Sequence, residues 1–265
     1  MEPSPYFRGL VACKRTTPKG IMQEYARPNF IGLKPTKAVI VLLAINIAMV
    51  IINGVARKYL QTDFLEQHLG LRPSSVVGGL ELWQPFTYFW LHSSRDPGHL
   101  FWNLLTLWLF SGPLQRAWGT KAFIRFYLIC GFGSGLVVLA AGLLWNPNML
   151  TVGASGAILG LVAAFGILYP DLPVYIFGVF PIKGRTLAII FAILSTGVPL
   201  IYPSHVSVAA HIGGLALGAL ITTGYWKPER ILRRIRLARA RRRLKALEGG
   251  RGSSGDDGAK QNYLH

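Results

Sequence analysis

Apolar residues run in long blocks along most of this chain, and polar residues gather between the blocks and at the two ends. A helix that crosses a membrane needs about twenty mostly apolar residues. Residues 38–56 (AVIVLLAINIAMVIINGVA) meet that requirement, and 99–115, 123–145, 153–169, 186–202 and 206–226 are further candidates. The pattern therefore predicts an all-α integral membrane protein, a bundle of six transmembrane helices with both ends on one side of the bilayer. This six-span region, 38–226, lies between an N-terminal arm, 1–37, and a basic tail, 227–265, whose end (GSSGDDGAK) reads as disordered.

Composition supports the same class. Hydrophobic residues make up 51% of the 265 and charged residues 15%, well below the quarter or so of soluble domains, and the mean hydropathy is +0.39. A net charge of +17 suggests nucleic acid until its distribution is considered. Lys34 and Lys37 precede the first span, Arg116, Lys121 and Arg125 fall between the second and third, and Lys183 and Arg185 between the fourth and fifth. The alternate connections 146–152 and 203–205 carry neither Lys nor Arg, and the long 57–98 loop balances its charges. Basic residues mark cytoplasmic turns, so both termini are expected in the cytoplasm. The tail (KPERILRRIRLARARRRLKALEGGR) reads as a helix with Ile231, Ile235 and Ala238 on one side. Its first role is a solvated anchor that enforces topology; binding to anionic lipid headgroups comes second. No RNA-binding motif accompanies it, so no nucleic-acid partner is expected.

Polar groups within spans are costly and are candidates for function. His99 and Asn103 open the second span four residues apart, on one helical face. Ser155 lies in GASG at the start of the fourth span, and His211 sits near the start of the sixth. With the N-terminus inside, spans two, four and six all begin at the outer face, so these four residues share one depth on one side. Taken singly, a serine between alanine and glycine is a packing residue and a lone intramembrane histidine a structural hydrogen bonder. Their agreement in depth and side is what points to chemistry.

From Ser155 to the end of its span is roughly 21 Å at 1.5 Å per residue, against a hydrocarbon core of about 30 Å. The serine therefore lies on the order of 10 Å below the outer surface, and a hydrolytic role requires a polar cavity that brings water to it. Histidine is the usual base for a serine hydroxyl. No acidic residue occurs in the spans to form a triad, so a Ser155–His211 dyad is expected. The Ser155 N–H, His99 and Asn103 are candidate oxyanion donors. Gly156 and Gly160, with Gly214 and Gly218, allow the fourth and sixth helices to approach closely. His68, His92 and His205 read as solvated loop residues, and the aromatic cluster Trp83, Phe86, Tyr88, Phe89 and Trp90 as an interfacial belt. Cys13 and Cys130 form no CxxC or Cys/His cluster, so neither a disulfide nor a metal site is expected.

Several blocks, in order, resemble the rhomboid family of intramembrane serine proteases: LWQPFTYFWLHS, HLFWN, GASGA, YPDLPVYIF with FPIKGR, and AHIGGLALG. The resemblance covers about residues 38–226. It implies a six-helix rhomboid-like fold, cleavage of single-span membrane proteins in or near the span, and no cofactor. It also places the family's nucleophile on Ser155, its base on His211, and its oxyanion-assisting residues on His99 and Asn103. The family includes inactive relatives that act as chaperones or dislocation factors, and the four intact residues argue for the protease. A small transporter is a remote third reading, since paired internal carboxylates and an inverted repeat are missing. Three positions depart from the family pattern: Gln84 where many members carry Arg, Leu159 in place of an aromatic that packs on the base, and Gln115 where a Glu often stands. The six-span form without an extra helix points to a bacterial inner membrane.

Overall fold

The structure is a computed structural model, which describes residues 35–94, 96–176, 180–201 and 208–224. The chain divides into a unit ending at Thr223 and a second from Gly224 to His265. The N-terminal arm up to residue 34, His205 and the basic tail lie outside the described residues.

Helix α1 (Lys37–Tyr59) opens the bundle. It turns Ala38, Val39, Leu42, Asn46 and Asn53 inward and leaves Ile40, Val41, Ile51 and Ile52 exposed. An apolar outer face is costly in water and suits acyl chains. Its 23 residues span about 35 Å, and it and the later helix α5 are long and apolar enough to cross a membrane.

The segment that follows was expected as a loop and instead folds into α2 (Phe64–Leu69), α3 (Pro73–Gly78), α4 (Gln84–Thr87) and a 3-10 turn, Tyr88–Trp90. Gln84 organises it. Its side chain, fully buried, accepts the Arg72 N–H at 2.8 Å, donates to the Gln67 carbonyl, and bonds the Glu81 carboxylate. The departure at position 84 is thus accommodated by a neutral group that closes the loop on itself. Trp83 Nε1 donates to the His68 carbonyl at 2.8 Å, and Thr87 Oγ1 to that of Leu69 at 2.7 Å. The aromatic cluster divides: Trp83 and Phe86 are exposed, as a belt requires, whereas Tyr88 and Phe89 are buried. The Tyr88 hydroxyl donates to the Gly131 carbonyl at 2.8 Å and lies 2.9 Å from Ser134 Oγ. These bonds pin the segment to the helices beneath it.

Helix α5 (Pro97–Trp145) has 49 residues, which if straight would measure about 74 Å. It is broken at Gly119, where φ is +75° and ψ 163°. That backbone is open to glycine and strained for other residues, and it falls between the two spans expected from the sequence. Gln115, at another departure, bonds Thr36 Oγ1 at the entry to α1 and Thr120 Oγ1 just past the break. It ties α1 to this turn.

Helix α6 (Ser155–Leu168) is the centre of the bundle, buried along most of its 14 residues. Gly156 approaches Ser134 and Gly160 approaches Cys130 on the second arm of α5, while Phe165 packs on Phe110 of the first arm. Along α6 the second arm therefore runs backward and the first forward, so the two arms are antiparallel. An unpredicted hairpin follows, β1 (Pro173–Ile176) and β2 (Phe180–Lys183), antiparallel with Val174 opposite Ile182. It leads into α7 (Gly184–Ile201), which contains Pro199, and then α8 (Val208–Thr223). A Cβ on Gly214 would lie 2.0 Å from the Gly156 carbonyl oxygen, and one on Gly218 2.3 Å from that of Gly160. Helices α6 and α8 thus run parallel, backbone against backbone.

Candidate active site

The first arm of α5, α6 and α8 begin at the same end of the bundle, and their first turns carry the four residues singled out in the sequence. Ser155 is the first residue of α6. Gly156, next to it, lets Gly214 approach, and three residues before Gly214 on the same face is His211. The result is direct contact: His211 Nε2 lies 2.8 Å from Ser155 Oγ. The other ring nitrogen, Nδ1, lies 2.6 Å from the Ser195 carbonyl oxygen on α7. A carbonyl only accepts, so Nδ1 carries the proton and Nε2 is left with its lone pair toward the serine. Both side chains are buried. Leu159, one turn below Ser155, is buried as well; the orientation of His211 comes from Ser195 on α7.

His99 and Asn103 border the same point. The His99 amide is capped by Asp96 Oδ1 at 2.9 Å, which fixes the first turn of α5. Its imidazole packs against Gly153, where an added Cβ would sit 2.9 Å from the ring and where φ is +126°. Position 153 needs glycine for both reasons. His99 Nε2 is buried and finds no partner among the described residues, so its hydrogen-bonding capacity is left open. Asn103 Nδ2 lies 2.8 Å from His92 Nε2, and the Ala154 N–H makes a longer, 3.5 Å contact with that same nitrogen. Ala154 immediately precedes the serine, so this chain of contacts sets Asn103 beside the start of α6.

The expectation that His92 is solvated is wrong. Its side chain is fully buried, because the turn through Asp96 folds the loop back over the start of α5. Burial first, then the His99 imidazole (ring centroids 5.7 Å apart), hold its pKa far below the usual histidine value, at about 3. His92 therefore stays neutral at physiological pH. Its Nε2 accepts from the Ala154 N–H, so Asn103 must donate to it, leaving the second Asn103 N–H for another acceptor. His92→Ala is expected to lower turnover about tenfold to thirtyfold with KM little changed, because Asn103 loses its alignment. Steady-state kinetics on a membrane-protein substrate measure this, and an unchanged kcat would count against it. The sequence signals for His92 were its place in the block LWQPFTYFWLHS and its distance of seven residues from His99, across a turn whose fold-back the sequence pattern did not reveal.

A family model, the Rhomboid domain, matches residues 79–228 of this chain, more than half its length. The chain belongs to the rhomboid family. It is therefore an all-α membrane protein, the small hairpin aside. Rhomboid relatives include RHOMBOID-like protein 1 of Arabidopsis thaliana, 31% identical over 158 residues that cover 59% of this chain and 38% of that protein. Rhomboid protein 1, mitochondrial, of Saccharomyces cerevisiae is 27% identical over 211 residues, 74% of this chain and 56% of that one. Rhomboid protease AarA of Providencia stuartii is 31% identical over 154 residues, covering 51% of this chain and 53% of the relative. The chain thus spans between about two fifths and just over half of these relatives.

Proposed function

We propose that this rhomboid-family chain is an intramembrane serine endopeptidase that cleaves single-span membrane proteins in or near their transmembrane segment, with Ser155 as nucleophile and His211 as base. The observation that carries the reading is the ordered pair of bonds on His211: Nε2 at 2.8 Å from Ser155 Oγ and Nδ1 at 2.6 Å from the Ser195 carbonyl oxygen. A serine hydroxyl is a weak nucleophile until a positioned base takes its proton, and this geometry presents the correct tautomer.

In the reaction, Ser155 Oγ attacks the scissile carbonyl while its proton passes to His211 Nε2. The new oxyanion is met by the Ser155 backbone N–H at the start of α6, the free N–H of Asn103, and His99 Nε2. Such fixed donors supply on the order of 3–4 kcal/mol each of transition-state stabilisation. The imidazolium then protonates the departing amine, leaving an acyl-serine. Water attacks the ester, giving a proton to His211, and the collapse of the second tetrahedral adduct releases the new carboxylate and returns the proton to Ser155 Oγ.

The same proposal includes the membrane setting. The two arms of α5 with α1, α6, α7 and α8 serve as six spans, both termini are cytoplasmic as the basic turns indicate, and water enters from the outer side. We place the chain in a bacterial inner membrane. The relatives come from a bacterium, a plant and a yeast mitochondrion, so membrane fractionation and protease accessibility of tagged ends are the tests of place and side.

The deciding experiment incubates purified protein with a single-span substrate and, separately, with a fluorophosphonate probe whose adduct is located by mass spectrometry. Cleavage together with an adduct on Ser155 is the expected result. Failure of every substrate, with no adduct, would favour a non-catalytic chaperone or dislocation factor on this fold.

A further inference from the structure

The carbonyl that orients His211 belongs to a helix, and a helical carbonyl is ordinarily taken. The Ser195 oxygen on α7 would accept the N–H of the residue four positions on. That residue is Pro199, inside the same helix. Proline has no N–H, and its ring pushes against the carbonyl four residues back. The Ser195 oxygen is therefore freed from its ladder position, and it is this oxygen that lies 2.6 Å from His211 Nδ1.

We infer that Pro199 is a positioning residue for the proposed catalytic histidine: by vacating the Ser195 carbonyl it creates the acceptor that fixes the His211 tautomer and ring orientation. The inference rests on the reading of Ser155 and His211 as a dyad. It accounts for how the base is held where no carboxylate stands beside it in the spans and where the residue one turn past the serine is Leu159. A carbonyl in an intact helical ladder is a poor substitute, because its in-line lone pair already faces the next turn. A buried carbonyl with no partner of its own would instead be costly. Pro199 and His211 thus satisfy each other's requirement: one leaves an acceptor open and the other fills it.

A proline that merely shapes a helix and one that frees a carbonyl for catalysis predict opposite results. Pro199→Ala restores an N–H that can close onto the Ser195 oxygen and compete with His211. The helix gains a bond, so the unfolding temperature of the purified protein should hold or rise. The chemistry loses its oriented base, so kcat on a single-span substrate and the rate of fluorophosphonate labelling should both fall about tenfold to a hundredfold with KM unchanged. Pro199→Gly also restores the N–H but weakens the helix, and should show the same fall in kcat despite its different stability. In protein labelled with 15N-histidine, the downfield ring proton of His211, identified by its loss in His211→Ala, should disappear in both Pro199 variants.

Wild-type kcat and an unchanged ring proton in Pro199→Ala would overturn the inference. So would a fall in kcat that merely follows a fall in unfolding temperature. If the wild-type protein takes up no label, or if Ser155→Ala cleaves as fast as wild type, it is the dyad itself that fails; the ring-proton measurement still reports whether Pro199 controls His211.

Discussion

Replacing His211 by alanine is expected to reduce substrate cleavage by about 10⁴-fold or more, equivalent to about 5.5 kcal/mol or more of lost transition-state stabilisation. In the proposed reaction the 2.8 Å bond to Ser155 Oγ is the route by which the serine proton departs in attack and returns in deacylation, so its removal would disable both halves. Ser155→Ala should be at least as severe, and the double variant no worse than either single one, because two groups that act as a unit do not contribute additively. Time courses with a fluorogenic or gel-resolved single-span substrate measure all three. A double variant whose loss approaches the product of the two single losses would mean that the residues work separately, contrary to the dyad.

The second large effect concerns the contact that brings the dyad together. A methyl group on Gly214 would meet the Gly156 carbonyl oxygen at 2.0 Å and its carbon at 2.7 Å. These are backbone atoms of the central helix, which cannot swing aside as a side-chain tip can. Gly214→Val is therefore expected to destabilise the fold by about 3 kcal/mol or more, above the usual cost of overpacking, and to abolish activity by separating α8 from α6. Gly197 on α7 provides the contrast. Among the described residues an added Cβ there meets only Ile193 Cγ2, at 3.9 Å, and Gly197→Ala should stabilise by roughly 0.5–1 kcal/mol. Thermal unfolding in one detergent ranks the variants, and equal melting temperatures for the two would refute the packing argument.

What the sequence disclosed and what it hid divide along physical lines. The helices were legible because each is a long apolar run, and the alternation of basic and neutral turns is the basis of the direction proposed for each run. Ser155, His211, His99 and Asn103 stood out because polar groups are rare in such surroundings, and each lies in the first turn or two of a helix that begins at one end of the bundle. The glycine pairs announced the α6–α8 contact by their four-residue spacing. What was hidden depends on contacts between segments far apart in the chain. Four short helical segments between Asp63 and Leu91 have no apolar period long enough to register, and their order comes from the buried Gln84 and from Tyr88 reaching Gly131. His92 was misread because a histidine beside two serines, an arginine and an aspartate looks wet; only the folded-back turn buries it. Pro199 was visible as a letter, but its relation to Ser195 gains meaning only once His211 is known to stand opposite.

The bond from His211 to α7 also bears on timing. Helices α6 and α8 meet backbone to backbone, whereas α7 reaches the imidazole through one oxygen, that of Ser195. Any excursion of α7 away from α8 lengthens the 2.6 Å bond and lets the ring turn. Under the proposed dyad, the base is therefore oriented only while α7 is seated against it, so the chemistry depends on the packing of a helix that carries none of the four candidate residues.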